Sequence, residues 1–471
     1  MSTEQPVGGE QSSAFSVLSA TIKSSRNVTI NVSSVLSELI FYENIGKPFV
    51  TGYVSLVDND RVVEGLTDIQ GAEIFEIKYK RNTGRLGAKP ITQRFVIQRI
   101  EKIAKANEFT QVVLLRLIDE GVYKSGLTNV NKLMEGQPFE IIDTLLKEYL
   151  NRDDLLTSAK FNSLNKMRVI VPNMTPLQTA EWIRNRATNP NGYPYYLYKT
   201  AIGDKYIFAD LETLLSSPVI NINNPFTDNQ SATSSLSSQR DMVIEDMDQS
   251  EVDDLYSMVR AGVVGSKQQY YDVTTGDYEE IDFNINNDVI VDIHLLNSKQ
   301  KRPTIDGNLK FEDLEISNYQ ARKQSHVSIS KPYKEVRAYD EEYVEGGNKN
   351  KIKSRALQHL LDKTPIKLVV RGDAFIHGLE DYGVGNSVRV IVRAKQETEK
   401  AMKIDRKQSG DYLICATNYT LKFDKANASE MILLCAKIAN YQSDAYSSSG
   451  GIVWVFLQRI TIIMAMKPDG S

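Results

Sequence analysis

The sequence is poor in the residues that build reactive centres. Its 471 residues hold two cysteines, Cys415 and Cys435, and four histidines, His294, His326, His359 and His377. The histidines fall at no metal-ligand spacing. Both cysteines lie in strand-like runs, which reads them as small buried apolar residues rather than a disulfide. No P-loop, HExxH pair, nucleophile elbow or zinc spacing is present. Charge of one sign is also lacking. Lys and Arg number 56 against 60 Asp and Glu, a net charge of -4, so no overall basic excess exists to neutralise phosphates. Long apolar runs are missing too. Segment 452–466 is strongly apolar, but Gln458-Arg459 interrupts it and it is short for a membrane span. No cleavable signal pattern opens the chain, and the polar residues 1–13 are expected to be disordered.

What the chain does have is alternation. Val388, Val390 and Val392 alternate with Arg389, and Tyr419, Leu421 and Phe423 alternate with Thr420 and Lys422. That is the period of a strand with one buried face. Gly372, Gly383, Gly385 and Gly410 mark the turns between such strands over 366–436. Several short strands with turns between them bury one face by curling into a barrel or sandwich. The same texture fills residues 14–122: Val28, Ile30 and Val32; Val50, Val54 and Leu56 around Gly52; and Phe75, Ile77 and Tyr79.

Between these stretches the period changes. Pro138 precedes Phe139, Ile142, Leu145, Leu146 and Tyr149 at helical spacing, and Thr175-Pro176-Leu177-Gln178 has the form of a capping box. The residues Tyr195–Lys199 and Lys205–Ala209, joined around Gly203-Asp204, read as a hairpin. A Ser-rich stretch, 231–239, marks a boundary, and 280–345 shows no sustained period. Gly346-Gly347-Asn348-Lys349-Asn350-Lys351 reads as a flexible loop before a helix over 354–361.

The expected fold is therefore β-rich α+β, with two similar antiparallel β-barrel domains and small α/β domains. The boundaries read as 1–13 a tail; 14–122 the first barrel; 123–240 an α/β domain; 241–280 with 360–442 the second barrel; 281–359 an irregular and helical insertion; and 443–471 a linker with an apolar C-terminal segment.

Candidate acid pairs Asp58/Asp60, Asp153/Asp154 and Asp253/Asp254 sit in polar turns with no histidine near in sequence, which predicts solvated surface. Arg371-Gly372-Asp373 ends a strand and reads as a turn. The tyrosines of 193–198 could stack a ring ligand, but their alternation favours a packed hairpin. The expected catalytic, cofactor and metal residues are none. Trp454, Phe456, Ile460 and Ile462 are the candidate partner-binding tail.

Three passages together resemble the central baseplate hub protein of contractile-tailed bacteriophages, an architecture shared with the N-terminal part of the type VI secretion spike protein. They are Val50-Thr51-Gly52-Tyr53-Val54 with the run Asp60, Leu66, Ile69, Gly71, Glu73; the stretch from Val171-Pro172-Asn173-Met174-Thr175-Pro176 through Trp182 and Arg186 to the hairpin; and the closing strands around 370–389 and 409–423. Asn418 or Tyr419 stands where that pattern frequently has histidine. The resemblance implies a non-enzymatic structural protein of the virion tail baseplate, assembled in the host cytoplasm. It implies a homotrimer joining a sixfold tail tube to a threefold central spike, with DNA passing through its channel unbound and no membrane span. The partners implied are the tail-tube, central spike, baseplate wedge and tape-measure proteins. The alternatives are a hub or spike of a bacterial contractile injection or type VI secretion system, and a tail-associated cell-wall hydrolase.

Overall fold

The computed structural model describes residues 15–24, 28–59, 69–81, 90–105, 110–159, 166–222, 225–228, 243–249, 255–273, 276, 278–290, 310–328, 347–362, 365–371, 383–392, 404–405, 408–423 and 429–440. Seven strands open the chain: β1 (Phe15–Lys23), β2 (Thr29–Asn31), β3 (Leu36–Asn44), β4 (Thr51–Asp58), β5 (Ile74–Arg81), β6 (Ile91–Lys105) and β7 (Gln111–Ile118). They pair in the order β2-β1-β5-β6-β7-β4-β3. Alternate residues turn inward, among them Leu39 and Phe41 of β3, Val54 and Leu56 of β4, Phe75, Ile77 and Tyr79 of β5, and Leu115 and Leu117 of β7. A sheet with one apolar face must curl around it, and the register bulges in β1 and β6 supply bends. Gly52 lets β3 and β4 approach closely, because a Cβ there would run into the carbonyl oxygen of Ile40. The loop before β5 closes on itself: the Glu73 carboxylate accepts the amides of Gln70, Gly71 and Ala72 at 3.0, 3.1 and 3.1 Å.

An α/β unit follows: α1 (Glu120–Gly126), β8 (Leu133–Gly136), α2 (Pro138–Leu150), β9 (Leu156–Thr157), β10 (Met167–Ile170), α3 (Pro176–Arg184), β11 (Tyr195–Lys199), β12 (Tyr206–Asp210) and α4 (Leu211–Ser216). Both expected helices form. Pro138 and Pro176 occupy first-turn positions, where a missing N–H costs nothing. In α3 the capping box is complete, with Gln178 N donating to Thr175 Oγ1 and Thr175 N to Gln178 Oε1. The apolar stripes of α2 (Ile142, Leu145, Leu146) and α3 (Leu177, Ala180, Ile183) meet in a core separate from that of the barrels.

The remaining elements are β13 (Phe226–Asp228), β14 (Val243–Gln249), α5 (Leu255–Ala261), β15 (Gly265–Asp272), β16 (Tyr278–Asn284), β17 (Lys310–Phe311), β18 (Leu314–Glu315), β19 (Arg322–Ser328), α6 (Gly347–Asp362), β20 (Pro365–Arg371), β21 (Ser387–Ile391), β22 (Gly410–Lys422) and β23 (Ser429–Asn440). Six of them close a barrel in the order β22-β21-β13-β14-β20-β23, with β23 returning to β22. Its interior holds Ile366, Leu368, Val370, Val388, Val390, Leu413 and Leu433. The β-rich α+β class thus stands as expected; of the two antiparallel barrels expected, one closes among the described residues, with β13 parallel to both its neighbours, and the seven N-terminal strands extend the same sheet.

Details differ from the expectation. β13 joins the second barrel although it lies in the stretch assigned to the α/β domain. Among the described residues of 241–280 only β14 enters the barrel, while β15 and β16 form a separate sheet with β19. The loop expected at 346–351 is helical from Gly347, because α6 is anchored by Ile352, Ala356, Leu357 and Leu361 one or two turns apart. Asp58, expected on the surface, is 4% exposed at the end of β4. Both cysteines are free thiols, and burial pushes that of Cys435 up.

The barrels share one sheet. β22 pairs antiparallel with β3 from Ala416↔Asn44 to Lys422↔Glu38. Phe41 and Tyr419, directly opposite, stack at 4.7 Å between centroids. Removing either ring by alanine should cost about 3–5 kcal/mol. A double-mutant cycle over Phe41→Ala and Tyr419→Ala should return a favourable coupling of about 0.5–1.5 kcal/mol by chemical denaturation. Strict additivity would mean that the stacked pair does not hold the seam.

Candidate functional site

Two buried polar clusters stand where the barrels meet the α/β unit, and β11 connects them. This strand is buried on both faces, which its tyrosines achieve by splitting between cores. Tyr196 and Tyr198 pack into the barrel core, and Tyr195 and Leu197 into the α/β core. Tyr195 stacks on Phe208 of β12 at 4.6 Å. The packed-hairpin reading of 193–198 holds, and these rings fill space between cores.

The first cluster is an ion chain. Lys199, the last residue of β11, is 4% exposed. Its ammonium lies 2.5 Å from Asp119 Oδ2 and 2.6 Å from Asp204 Oδ1. Asp119 sits between β7 and α1 and caps that helix, its Oδ1 accepting Gly121 N at 2.7 Å. Asp204 also accepts Arg152 Nη1 at 2.6 Å, and Arg152 forks onto Asp154 at 2.8 and 2.5 Å. Tyr206 lies against both cations, its ring centre 5.3 Å from Lys199 and 5.5 Å from Arg152. Burial pushes the Asp119 carboxyl up, and Lys199 opposes it. Burial also works to raise Asp204, but Lys199 and Arg152 outweigh it and hold that carboxyl below its ordinary value. The chain borders a cleft of about 260 Å³ that Thr92, Arg94 and Lys124 also line. Every charge in it faces an opposite one, so it reads as a clamp between the first sheet and the α/β unit.

The second cluster is built on Glu43. Leu39, Phe41 and Glu43 share the inward face of β3, so the carboxylate is carried into the seam and is 3% exposed. Oε1 accepts Ala201 N from the turn after β11. Oε2 accepts Val384 N from the turn before β21 at 3.3 Å and Thr417 Oγ1 of β22 at 3.2 Å. Among the described residues no cation bonds to it, and burial pushes this carboxyl up despite its three donors.

The turn glycines find different places. Gly385 is left-handed (φ 87°) and a Cβ there would strike the Tyr198 hydroxyl, so this turn packs directly on β11. Gly383 opens the same turn, and Gly410 begins β22 opposite Val390 and Asn440. Gly372 and the tail residues Trp454, Phe456, Ile460 and Ile462 lie outside the described residues, as do Asp60, Asp253 and Asp254. Asp153 is exposed, whereas Asp154 is half-buried on Arg152. Among the described residues no group of three or more His, Cys, Asp and Glu could hold a metal.

Sequence reasoning passed over Glu43 and Lys199. Their signal was phase: Glu43 continues the inward series Leu39-Phe41, and Lys199 continues Tyr195-Leu197. A charged residue in step with a buried stripe needs a partner. For Lys199 that partner is Asp119, and Lys199→Met should destabilise the chain by about 3–5 kcal/mol because it strands a buried carboxylate. Asp119→Leu combined with Lys199→Met should recover most of that loss in thermal unfolding. No recovery would show that the pair holds the domains together by more than mutual neutralisation.

No family model matches the sequence. No curated protein sequence matches it either. Solved structures with a similar chain path include a tail protein from Neisseria meningitidis MC58, with TM-score 0.49 and 13% identity over 90% of this chain and 97% of that one. The 43 kDa tail protein of prophage MuSo2 from Shewanella oneidensis has TM-score 0.48 and 9% identity over 90% and 99% of the two chains. An Escherichia coli component of the type VI secretion system, described as structurally similar to T4 bacteriophage tail proteins, has TM-score 0.43 and 8% identity over 92% and 80%.

Proposed function

We propose that this chain is a structural protein of a phage tail, the hub that joins the tail tube to the central spike. The observation that carries the reading is the shared sheet: a closed six-stranded barrel continues through the β22–β3 pairing into a second curled sheet. Two curled units held rigidly in one protomer make six around a threefold axis, which is the geometry a sixfold tube and a threefold spike both accept. The charges described above are spent on holding modules together, as a structural part requires. Spike, tube, wedge and tape-measure proteins are the proposed partners, and DNA the proposed passenger.

The ring contact proposed here uses the outer edge of the first sheet. β2 pairs with β1 only from Thr21 to Lys23, so among the described residues no strand lies against that side of residues 16–19. Leu18 sits at the β1 bulge and is 51% exposed; Val28 beside β2 is 55% exposed. An open strand edge with apolar residues beside it invites pairing with another chain. An obligate ring would bury more than about 2,000 Å² at each contact.

Native mass measurement and electron microscopy of the purified protein test this together. A threefold ring is expected, and Leu18→Asp should shift it towards monomers that unfold like the native chain. A stable monomer that forms no ring when spike protein is added would overturn the hub reading. Reproducible lysis of cell-wall material by the purified chain would favour the hydrolase instead.

A further inference from the structure

Glu43 is an unusual choice for the seam of a structural protein. A buried carboxylate is ordinarily paired with a cation, because desolvation otherwise favours its neutral form. Here three separate segments close on it: β22 through the Thr417 hydroxyl, the 383–386 turn through Val384 N, and the turn after β11 through Ala201 N. The titratable groups facing it are phenols, Tyr198 from β11 and Tyr419 from β22, both raised by burial and hence uncharged. Cys415, on the same strand as Thr417, contributes its carbonyl to Ile45 N just beyond Glu43. The nearest cation along β11, Lys199, is committed to Asp119 and Asp204. Three donors around Glu43 favour its charged form, but among the described residues no cation reinforces them, and burial outweighs them.

We propose that Glu43 is a pH-sensitive latch, whose neutral carboxyl holds the second-barrel turn and the β11–β12 turn against the β3–β22 seam and whose ionisation releases them. The neutral form fits the same contacts: Oε1 keeps Ala201 N, while a protonated Oε2 donates to Thr417 Oγ1 in place of accepting from it and keeps Val384 N on its remaining lone pair. Ionised, the group must draw in water, and the two turns are the parts able to move aside, since β3 and β22 are held by their backbone ladder. Loosening the turn after β11 shifts the strand that separates the two cores, so the latch sets how firmly the α/β unit is seated on the barrels.

The direction follows from linkage. A carboxyl raised in the folded state contributes fully below its ordinary value of 4.5, and that contribution is lost as pH rises through the folded value. Glu73 is the built-in opposite. Burial works to raise it, but its cluster of backbone amides outweighs burial and lowers it, so its contribution is present above 4.5 and lost as pH falls.

Amide hydrogen exchange on the full chain, corrected for intrinsic rate at each pH, reads the latch. Protection at Ala201 and Val384 should fall as pH rises, by up to about tenfold per pH unit within the titration. In Glu43→Gln it should be independent of pH, and Glu73→Gln should leave the native profile at these two amides unchanged. Thr417→Val removes a hydroxyl that serves both forms, so protection at the two amides should still fall as pH rises, because burial of the carboxyl remains. That variant decides the matter if Glu43→Gln does not fold. Protection at the two amides that is flat, or that rises with pH in the native chain, would overturn the proposal.

Discussion

The pairing of β3 with β22 is the constraint on which the rest of the molecule depends. The two strands are far apart in sequence, and each belongs to a different curled sheet. Bringing them together costs loop-closure entropy before any contact repays it. The repayment is concentrated there: a backbone ladder over seven residue pairs, the stacked Phe41 and Tyr419, and the Glu43 hydrogen bonds at one end. Once this seam exists, the two barrel interiors are one continuous core, and neither sheet has a free edge at the junction.

The α/β unit is attached by a different physics. It has its own core, so burial alone does not fix its position against the barrels. Position comes from β11, which places alternate aromatic residues in each core, and from directional polar contacts at either side of it. Lys199 reaches Asp119 on one side, and Ala201 reaches Glu43 on the other. Polar contacts have narrower geometry than apolar ones, so they specify orientation at a cost in desolvation. The arrangement uses apolar burial to hold mass together and buried charge to set angles.

Most of the fold was legible in the sequence, for an identifiable reason. Alternating residues such as Val388-Val390-Val392 and the helical stripe of α2 report burial directly, and caps such as Thr175 with Gln178 report chain ends. What could not be read was partner choice. The three-residue β13 carries no period, and it enters the second barrel through parallel pairs to β14 and β21 that only the assembled barrel creates. The start of α6 was hidden because Gly347 and its polar neighbours favour a loop locally, while four apolar residues further on secure the helix. The site was the least legible part. Glu43, Lys199 and Asp119 carry no motif, and their meaning lies in contacts across long sequence distances.

The two buried glutamates show why residue type alone could not have settled the electrostatics. Glu73 and Glu43 are both nearly inaccessible, yet their surroundings drive them in opposite directions. Glu73 faces three consecutive amides of its own loop, whose N–H dipoles converge on it as a nest does on an anion, so the charged form is favoured. Glu43 faces donors from three distant segments in a fully buried junction, so desolvation wins. A local nest forms with its own loop and stabilises whatever the rest of the chain does. A junction carboxyl exists only when the three segments have met, and its protonation is thereby tied to their assembly. That coupling lets solution conditions and domain geometry act on the same atom at the seam.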